Sequence, residues 1–277
     1  MNDNSTKTKS KKREKRSFKR RLIQLYSALL FNCYLKGYVT GDIFKGVSKN
    51  LCTPGLNCYS CPGAIGSCPV GALQNTLSSR NHKFAFYVLG FLTIIGAILG
   101  RFVCGWLCPF GMVQDLIFKI PFFKKLKKLP GEKILKKMRY AVLAILVIVL
   151  PVTVLDIIGQ GSPWFCKYLC PAGTLGAGIP LVTLGEGFKD AIGWLFTWKT
   201  VVLLVIILLS LLVYRPFCRY LCPLGAIYGF FNRIAIYRYK INEEKCVSCG
   251  ACTHDCPKEA ISVWKGCYAV VDRSLCI

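Results

Sequence analysis

Residues 101–114 read RFVCGWLCPFGMVQ, and the same pattern returns as PWFCKYLCPAGTLG at 163–176 and as RPFCRYLCPLGAIYG at 215–229. Each copy contains C-x3-C-P-x-G and lies just beyond an apolar segment. A spacing of four residues places both thiols of a copy on one face of a helical turn, and the proline ends that turn. Two such pairs make a four-thiolate site. A coincidental triple repeat is not credible, although a structural or zinc role for any one pair remains an alternative.

Apolar segments alternate with connectors rich in Lys and Arg, which is the pattern of a polytopic membrane protein. The chain has 277 residues, is 53% hydrophobic, and carries a formal net charge of +24. Because the basic charge is separated from the apolar runs, a nucleic-acid binder is disfavoured. The four apolar segments are residues 22–39, 84–100, 140–158 and 200–214, the last extendable backward through Trp198 and Trp194. A span needs about 20 residues, and Pro151 is expected to kink its span without ending it.

The distribution of basic residues predicts the orientation. If all four segments cross, one side receives 29 Lys and Arg residues and the other receives 7, with Lys36 inside the first span. Without the first crossing the division is nearly even, so the positive-inside rule favours four spans with both termini cytoplasmic. We expect a multi-pass protein of the cytoplasmic (inner) membrane of a prokaryote, in contact with lipid. Residues 1–21 are expected to be a disordered basic tail, 22–239 the transmembrane domain with loop 40–83 outside, and 240–277 a separate cysteine-rich domain.

The most specific motif is C-x2-C-x2-C-x3-C-P, formed by Cys246, Cys249, Cys252, Cys256 and Pro257. Bacterial ferredoxins bind 4Fe–4S clusters with this run, whose fourth cysteine ligates a second cluster. Residues 261–264 and 268–271 predict a small β-hairpin. A zinc site is the weaker alternative, because zinc needs only two cysteine pairs.

Cys276 lies where a second ferredoxin run would begin, but no further cysteines follow it. The first three cysteines of the run therefore lack their usual fourth partner. We expect the sequence to be truncated at this point. The alternative is a cluster that is completed by Cys256, Cys267 or Cys276.

A cysteine-rich loop, CTPGLNCYSCPGAIGSCPVGALQ, occupies residues 52–74. Its end, CPVGALQ, matches the CPFGMVQ that begins at Cys108, so we interpret it as a degenerate fourth copy. Ala64 stands where the leading cysteine belongs, and Cys61 or Cys58 substitutes for it. The chain then consists of two pseudo-repeated halves, each with two spans and two C-P-x-G turns.

The repeat and the four-span topology predict two 4Fe–4S clusters in the membrane domain, and the ferredoxin run predicts a third. The cytoplasmic-face cluster is expected on Cys104, Cys108, Cys218 and Cys222. The outer-face cluster is expected on Cys61, Cys68, Cys166 and Cys170. The alternative outer set is Cys52, Cys58, Cys61 and Cys68, with Cys166 and Cys170 free or disulfide-bonded. Because a hydrocarbon core about 30 Å thick is too wide for one efficient electron hop, the turns should re-enter and draw both clusters inward.

With these motifs, the chain resembles the membrane-bound polyferredoxins of the NapH, MauN and NosR type over about residues 84–277. That family has C-x3-C-P motifs at the ends of transmembrane helices, followed by a cytoplasmic ferredoxin domain. The resemblance implies electron transfer between a quinone or cytoplasmic donor and a redox partner protein at the outer face. It also implies a mainly α, polytopic fold with a small C-terminal α+β ferredoxin-like domain. The cysteine-rich loop and the third C-x3-C-P pair exceed the simplest family pattern.

No Ser–His–Asp group, carboxylate pair, P-loop or dinucleotide fingerprint indicates independent catalysis. We therefore expect a non-catalytic electron-transfer subunit of an oxidoreductase system. A redox-sensing regulatory or maturation factor for a partner metalloenzyme is the first alternative, and a structural metal-binding scaffold is the second. Relay and sensor use the same ligands, so the motifs do not separate them.

Overall fold

The computed structural model describes residues 3–78, 83–121, 125–126, 129–156, 160–184, 193–237, 239, 241–242, 244–256, 260–263 and 269–272. Within these residues the protein is mainly helical and contains one two-stranded antiparallel sheet. The mainly α class predicted from the sequence is confirmed. Cys267 and Cys276, the alternative ligands near the C-terminus, lie outside the described residues.

The N-terminal helix α1 covers Asp3–Phe31, so the basic tail that was expected to be disordered is helical. Lys, Arg and Glu are good helix formers, and this stretch contains no Gly or Pro. The helix stops before Asn32, whose side-chain amide donates to Ala28 O at 2.9 Å and so competes with the backbone. The predicted first span is therefore divided between α1 and a short helix α2, Lys36–Thr40.

Two long apolar helices match the predicted second and fourth spans. Helix α4 covers Lys83–Leu99, and helix α11 covers Trp194–Leu212, which includes both tryptophans. Among the described residues, α11 is the one helix long and apolar enough to cross a membrane. The apolar part of α4, Phe86–Leu99, and the helix over Pro171–Leu184 are shorter. Helix length alone therefore supports one span.

The predicted third span is a helix of three consecutive segments. Helix α7 covers Glu132–Val142, a π-helical segment follows over Leu143–Val149, and α8 covers Leu150–Thr153. Pro151 lies at the start of α8, where the helix continues past it as expected. The wider π turn precedes the proline, and π segments are one of the ways in which a helix absorbs a local irregularity. The helix ends at Thr153, before the predicted segment does.

Short helices border the C-P-x-G motifs. A helical segment precedes three of the motifs: α5 at Phe102–Trp106, a π turn at Phe165–Leu169, and α12 at Pro216–Tyr220. A helix begins at the proline of all four: α3 at Pro69–Ser78, α6 at Pro109–Phe118, α9 at Pro171–Gly173, and α13 at Pro223–Phe231. Helix α9 continues through a π segment, Thr174–Gly178, into α10, Ile179–Leu184. The proline thus also begins a helix, because a missing N–H costs nothing in the first turn.

The C-terminal unit contains a short helix and the predicted hairpin. Helix α14 covers Ala251–Asp255, and the strands β1, Ile261–Val263, and β2, Ala269–Val271, pair antiparallel with Ile261 opposite Val271. The hairpin prediction is confirmed. A 3₁₀ turn over Val47–Asn50 completes the elements of the described residues.

The main core of the protein surrounds the cysteines of the repeats. Aromatic and aliphatic side chains from α5, α6, α12 and α13 pack with them, including Val103, Phe110, Phe217, Leu224 and Tyr228. The Phe110 and Phe217 rings meet edge to face, with centroids 5.3 Å apart. The two halves of the chain therefore share one core, and the thiols lie inside it.

Candidate metal centres

The last cysteine of each C-P-x-G motif lies in the same local structure. Each precedes a helix. Burial raises the pKa of the thiols of Cys68, Cys108, Cys170 and Cys222, and a hydrogen bond from the N–H of the glycine three residues later opposes that increase. At Cys222 this N–H donates a hydrogen bond to Sγ at 3.4 Å. Backbone N–H groups directed at a sulfur favour the thiolate, which is the form that binds metal. The motif therefore prepares each of these cysteines as a ligand.

Four cysteines from two of the copies meet in the core, and we call them thiol group I: Cys104, Cys108, Cys218 and Cys222. All four are buried. Cys108 interacts electrostatically with Cys218 and Cys104, and Cys222 interacts with the other three. Burial, followed by the neighbouring thiols of Cys218 and Cys104, raises the pKa of the Cys108 thiol to about 12. This is the combination predicted for the cytoplasmic-face cluster.

A glutamine and an ion pair support thiol group I. Gln114 Nε2 donates to Cys218 Sγ at 3.2 Å. Arg215, fully buried, donates from Nη1 to Cys104 O at 2.6 Å and from Nε to Asp115 Oδ1 at 2.6 Å. Arg20 of α1 also binds the Asp115 carboxylate, at 3.0 Å. These contacts tie both halves of the chain and the N-terminal helix to the cysteine turns.

The two halves approach each other reciprocally at group I. A Cβ at Gly111 would lie 3.3 Å from Arg215 Nη1, and a Cβ at Gly225 would lie 3.3 Å from Arg101 Nη2. Each of these two glycines therefore leaves room for a guanidinium from the other half. Arg101 also interacts electrostatically with Cys104 and other group I thiols. Group I thus lies in a positively charged environment that compensates thiolate charge.

A second set of four cysteines, thiol group II, consists of Cys58, Cys68, Cys166 and Cys170. Cys166 interacts electrostatically with the other three, and Cys170 interacts with Cys58 and Cys68. A Cβ at Gly173 would lie 3.5 Å from Cys58 Sγ and 4.0 Å from Cys170 Sγ. Burial raises the pKa of Cys68 to about 11 and that of Cys170 to about 12. Glycine leaves the space beside these sulfurs open.

Lys199 of α11 contributes a positive charge to group II. Its Nζ would lie 3.9 Å from a Cβ at Gly173, and its charge acts on Cys58, Cys166 and Cys170. A lysine inside an apolar helix is costly unless it has a partner. The sulfurs of group II would provide that partner when they bind metal as thiolates.

The structure differs from the preferred outer set at one position, because Cys58 and not Cys61 joins Cys68, Cys166 and Cys170. Cys58 is the cysteine that acts on Cys166 and Cys170, whereas Cys61 Sγ lies 3.1 Å from Tyr38 Oη and 3.7 Å from Asn32 Oδ1. Cys58 is the other of the two cysteines that the repeat allows in place of the leading cysteine missing at Ala64.

Cys52 joins neither group. Its backbone pairs with Ser67 in an isolated parallel bridge, and its thiol lies 3.8 Å from Ser67 Oγ. The alternative outer set, which excludes Cys166 and Cys170, therefore does not match the arrangement of the thiols.

The ferredoxin run lies in the small C-terminal unit. Ala269 N, on β2, donates to Cys246 Sγ at 3.4 Å, and Ala260 N donates to Cys256 Sγ at 3.4 Å. The Ala269 N–H lowers the pKa of the Cys246 thiol, with a smaller contribution from Ser248. Cys249 and Cys252 are exposed. The hairpin thus positions the first cysteine of the run and donates to its sulfur.

The donor sets fit 4Fe–4S clusters. Among the described residues, no three His, Cys, Asp or Glu side chains converge on a single metal ion. A four-iron cluster binds each thiolate at a different iron, so its ligands surround the cluster and do not need to converge on a single ion. Group I supplies four buried cysteines, and group II supplies the buried Cys170 with three half-buried cysteines. Glycines stand where a side chain would crowd the sulfurs or the groups that support them.

The motifs and the comparisons with known proteins agree. Residues 81–130, 138–179 and 194–242 match a family model described as a 4Fe-4S binding domain, which covers about half of the chain. Residues 239–262 match a second model with the same description. The chain belongs to the ferredoxin-type 4Fe–4S family. The predicted resemblance to the polyferredoxins is confirmed.

The relatives of this polyferredoxin include both archaeal and bacterial proteins. It is 30% identical over 170 residues to an uncharacterized protein of Methanocaldococcus jannaschii, covering 60% of this chain and 55% of that protein. It is 25% identical over 247 residues to the putative electron transport protein YccM of Escherichia coli, covering 85% and 62%. It is 30% identical over 191 residues to the ferredoxin-type protein NapH of Haemophilus influenzae, covering 67% and 58%.

The chain spans 55% to 62% of the lengths of these three relatives. No solved structure matches it.

Several residues of the site were not predicted. Gln114 and Tyr228 stand six residues after the last cysteine of their motifs, as Gln74 and Gly176 do in the other copies. The match between CPVGALQ and CPFGMVQ contained this signal, because its final Gln is shared. The Arg215–Asp115 pair and Lys199 had no comparable signal, since single charged residues beside apolar segments fit a membrane boundary equally well.

Proposed function

We propose that this chain is a membrane-bound relay that passes single electrons between redox partners through 4Fe–4S clusters at group I, group II and the ferredoxin run. The observation that carries the proposal is the pair of four-thiol groups, one buried and one half-buried, each completed by cysteines distant in sequence. A bound 4Fe–4S cluster accepts or gives one electron, with a potential set by hydrogen bonds and burial. The similarity to the putative electron transport protein YccM and the ferredoxin-type protein NapH supports the same function.

The residues around group I act on the ligands and on the charge. Gln114 donates to the Cys218 sulfur, and Arg215 fixes the Cys104 carbonyl while it is itself held by Asp115. Donors and positive charge favour the more negative, reduced state of a site. The apolar side chains of the core exclude water from the four sulfurs.

Placement in a membrane is supported by the apolar faces that the helices expose. Phe86, Leu89 and Ile94 of α4 are exposed, as are Val201, Leu204, Val205 and Leu208 of α11. The helix that contains α7 and α8 exposes Ile145, Ile148, Val149 and Val152. Soluble proteins rarely expose contiguous apolar surfaces of this kind. With the asymmetry of basic residues, these faces favour a multi-pass protein of the cytoplasmic membrane with both termini inside.

The proposed orientation gives each site a different set of partners. Group I and the ferredoxin run lie on the cytoplasmic side, where a soluble donor or a quinone delivers electrons. Group II lies toward the outer side, where a redox protein accepts them. Exposed Cys249 and Cys252 are consistent with a ferredoxin unit that docks with a partner protein.

Quantitative iron analysis and EPR of the purified, anaerobically reconstituted full chain test this function. We expect three separable reduced signals and about four irons per site. Cys33→Ser is the control, since Cys33 is exposed and belongs to neither group. A chain that binds stoichiometric zinc and no iron would contradict the relay and favour the scaffold.

A further inference from the structure

Residues 54–58, with the sequence PGLNC, connect the two thiol groups. A Cβ at Gly55 would lie 3.1 Å from Cys108 Cα and 3.3 Å from Pro109 Cδ, so the Gly55 backbone contacts a ligand-bearing turn of group I. Three residues later, Cys58 is itself a member of group II. Three residues of fully extended chain reach at most about 11 Å. The two groups are therefore near neighbours.

The connecting segment is buried and is fixed on both sides. Tyr228 Oη donates to Pro54 O at 2.9 Å, and Asn57 Nδ2 donates to Phe31 O at 3.2 Å. Leu56 and Asn57 are 3% and 5% exposed. A segment held in this way by a helix of each half keeps one conformation between the groups.

Consecutive peptide N–H groups of the segment act on different thiol groups. The backbone of Leu56 hydrogen-bonds with the thiol of Cys108, and the backbone of Asn57 hydrogen-bonds with the thiol of Cys68. Cys108 belongs to group I and Cys68 to group II. A single peptide unit therefore separates the two donors.

Tyr228 lies between the two groups as well. It is fully buried, and it interacts electrostatically with Cys104 and Cys108 of group I and with Cys68 of group II. Its hydroxyl is the group that holds Pro54. The aromatic ring and the backbone segment thus fill the same narrow region.

We propose that residues 54–58, anchored by Tyr228, form the bridge along which an electron passes between the cluster at group I and the cluster at group II. This inference rests on the proposed function. In the step, one cluster is oxidised by one electron and the other is reduced by one electron, and no bond or proton moves. A side chain at Gly55 would press on Cys108 Cα and Pro109 Cδ, so the segment and the turn would have to separate by a few tenths of an ångström.

Magnetic interaction between the clusters tests the proximity. In the full chain reduced with dithionite, the signals of groups I and II should be broadened or split by spin–spin coupling. In Cys166→Ser, which removes a ligand of group II, the group I signal should become simple. If both clusters are present by iron content and EPR and show no coupling, the bridge is overturned and the relay function stands. If no clusters form, the proposed function itself fails.

Substitution of the bridge tests its role in transfer. Gly55→Leu should keep the iron content, weaken the coupling, and slow the equilibration of electrons between the two signals several-fold after rapid mixing with reductant. Gly90→Leu is the matched control, because nothing lies within 4 Å of a Cβ at Gly90. Unchanged coupling and rate in Gly55→Leu would overturn the bridge. If Gly55→Leu loses a cluster, Tyr228→Phe replaces it and should show the same changes to a smaller extent.

Discussion

Gln114 and Cys218 are joined by a hydrogen bond of 3.2 Å between the side-chain amide and the sulfur, although they are 104 residues apart in the chain. The bond crosses from the first half of the molecule to the second. It therefore couples the packing of the halves to the electronic properties of group I.

Gln114→Leu should lower the reduction potential of the group I signal while the iron content stays unchanged. A hydrogen bond to a charged sulfur stabilises the more negative, reduced state, and its loss removes about 1 kcal/mol of that preference. An EPR-monitored redox titration measures the shift. Gln74→Leu is the control at the related position of the other copy, and an unmoved group I potential in Gln114→Leu would contradict the role of this bond.

Cys58→Ser and Cys61→Ser should have opposite outcomes. Cys58→Ser should remove the group II signal and about four irons, because Cys58, together with Cys68 of the same cysteine-rich loop, interacts with Cys166 and Cys170. Cys61→Ser should retain the signal and the irons, since the Cys61 thiol contacts the Tyr38 hydroxyl and is not a member of group II. Loss of the signal in Cys61→Ser alone would restore the ligand set expected from the repeat.

Asp115→Asn should lower the thermal stability of the chain in detergent. Removing one partner of a buried ion pair costs about 3–5 kcal/mol, because the other charge is left uncompensated. The double variant Asp115→Leu/Arg215→Met should lose less stability than the sum of the losses in Asp115→Leu alone and Arg215→Met alone. Additive losses would show that the two side chains act independently.

The same ion pair predicts a dependence of stability on pH. Burial alone would raise the pKa of the Asp115 carboxyl, but hydrogen bonds and charge from Arg215, with Arg20, hold it below its ordinary value. Because the pKa of Asp115 is lower in the folded than in the unfolded chain, its ionised form stabilises the fold at a pH above the unfolded-state pKa. This stabilisation is lost as the pH falls through the folded-state pKa. Wild-type melting temperatures should therefore fall in acid more steeply than those of Asp115→Asn. Parallel curves would exclude Asp115 as the cause.

Cys249→Ser should remove one EPR signal and leave those of groups I and II unchanged. Cys249 belongs to the C-terminal unit, whose sulfurs accept hydrogen bonds from the local hairpin and the loop before it. Iron analysis should show a loss of about four irons or fewer. Simultaneous loss of a second signal would mean that the ferredoxin run shares ligands with another site.

Reporter fusions after residues 10, 75, 130, 180 and 270 should report the topology. Fusions at 10, 130 and 270 should be active on the cytoplasmic side, and those at 75 and 180 should be active outside. The expected result follows from the asymmetry of 29 to 7 in Lys and Arg. An outside location for residue 270 would exclude the four-span arrangement.

The sequence predicted those features that depend on short-range patterns. The helices of the second and fourth apolar segments, the hairpin after Cys256 and the pairing of Cys104 with Cys218 all followed from periodicity, turn residues or repeats. Features that depend on side chains meeting across the core could not be read in this way. The repeat allows both Cys58 and Cys61 and favours Cys61, and only the tertiary contacts of Cys58 with Cys166 and Cys170 distinguish them.

The order of the ligands along the chain has a consequence for biosynthesis. Group II uses cysteines between 58 and 170, whereas group I uses cysteines between 104 and 222, so the two sets interleave. During translation, the last ligand of group II leaves the ribosome before the second half of group I has been made. The group II site can therefore form on a nascent chain that still holds Cys104 and Cys108 as free thiols. These two would then need protection from oxidation until α12 arrives.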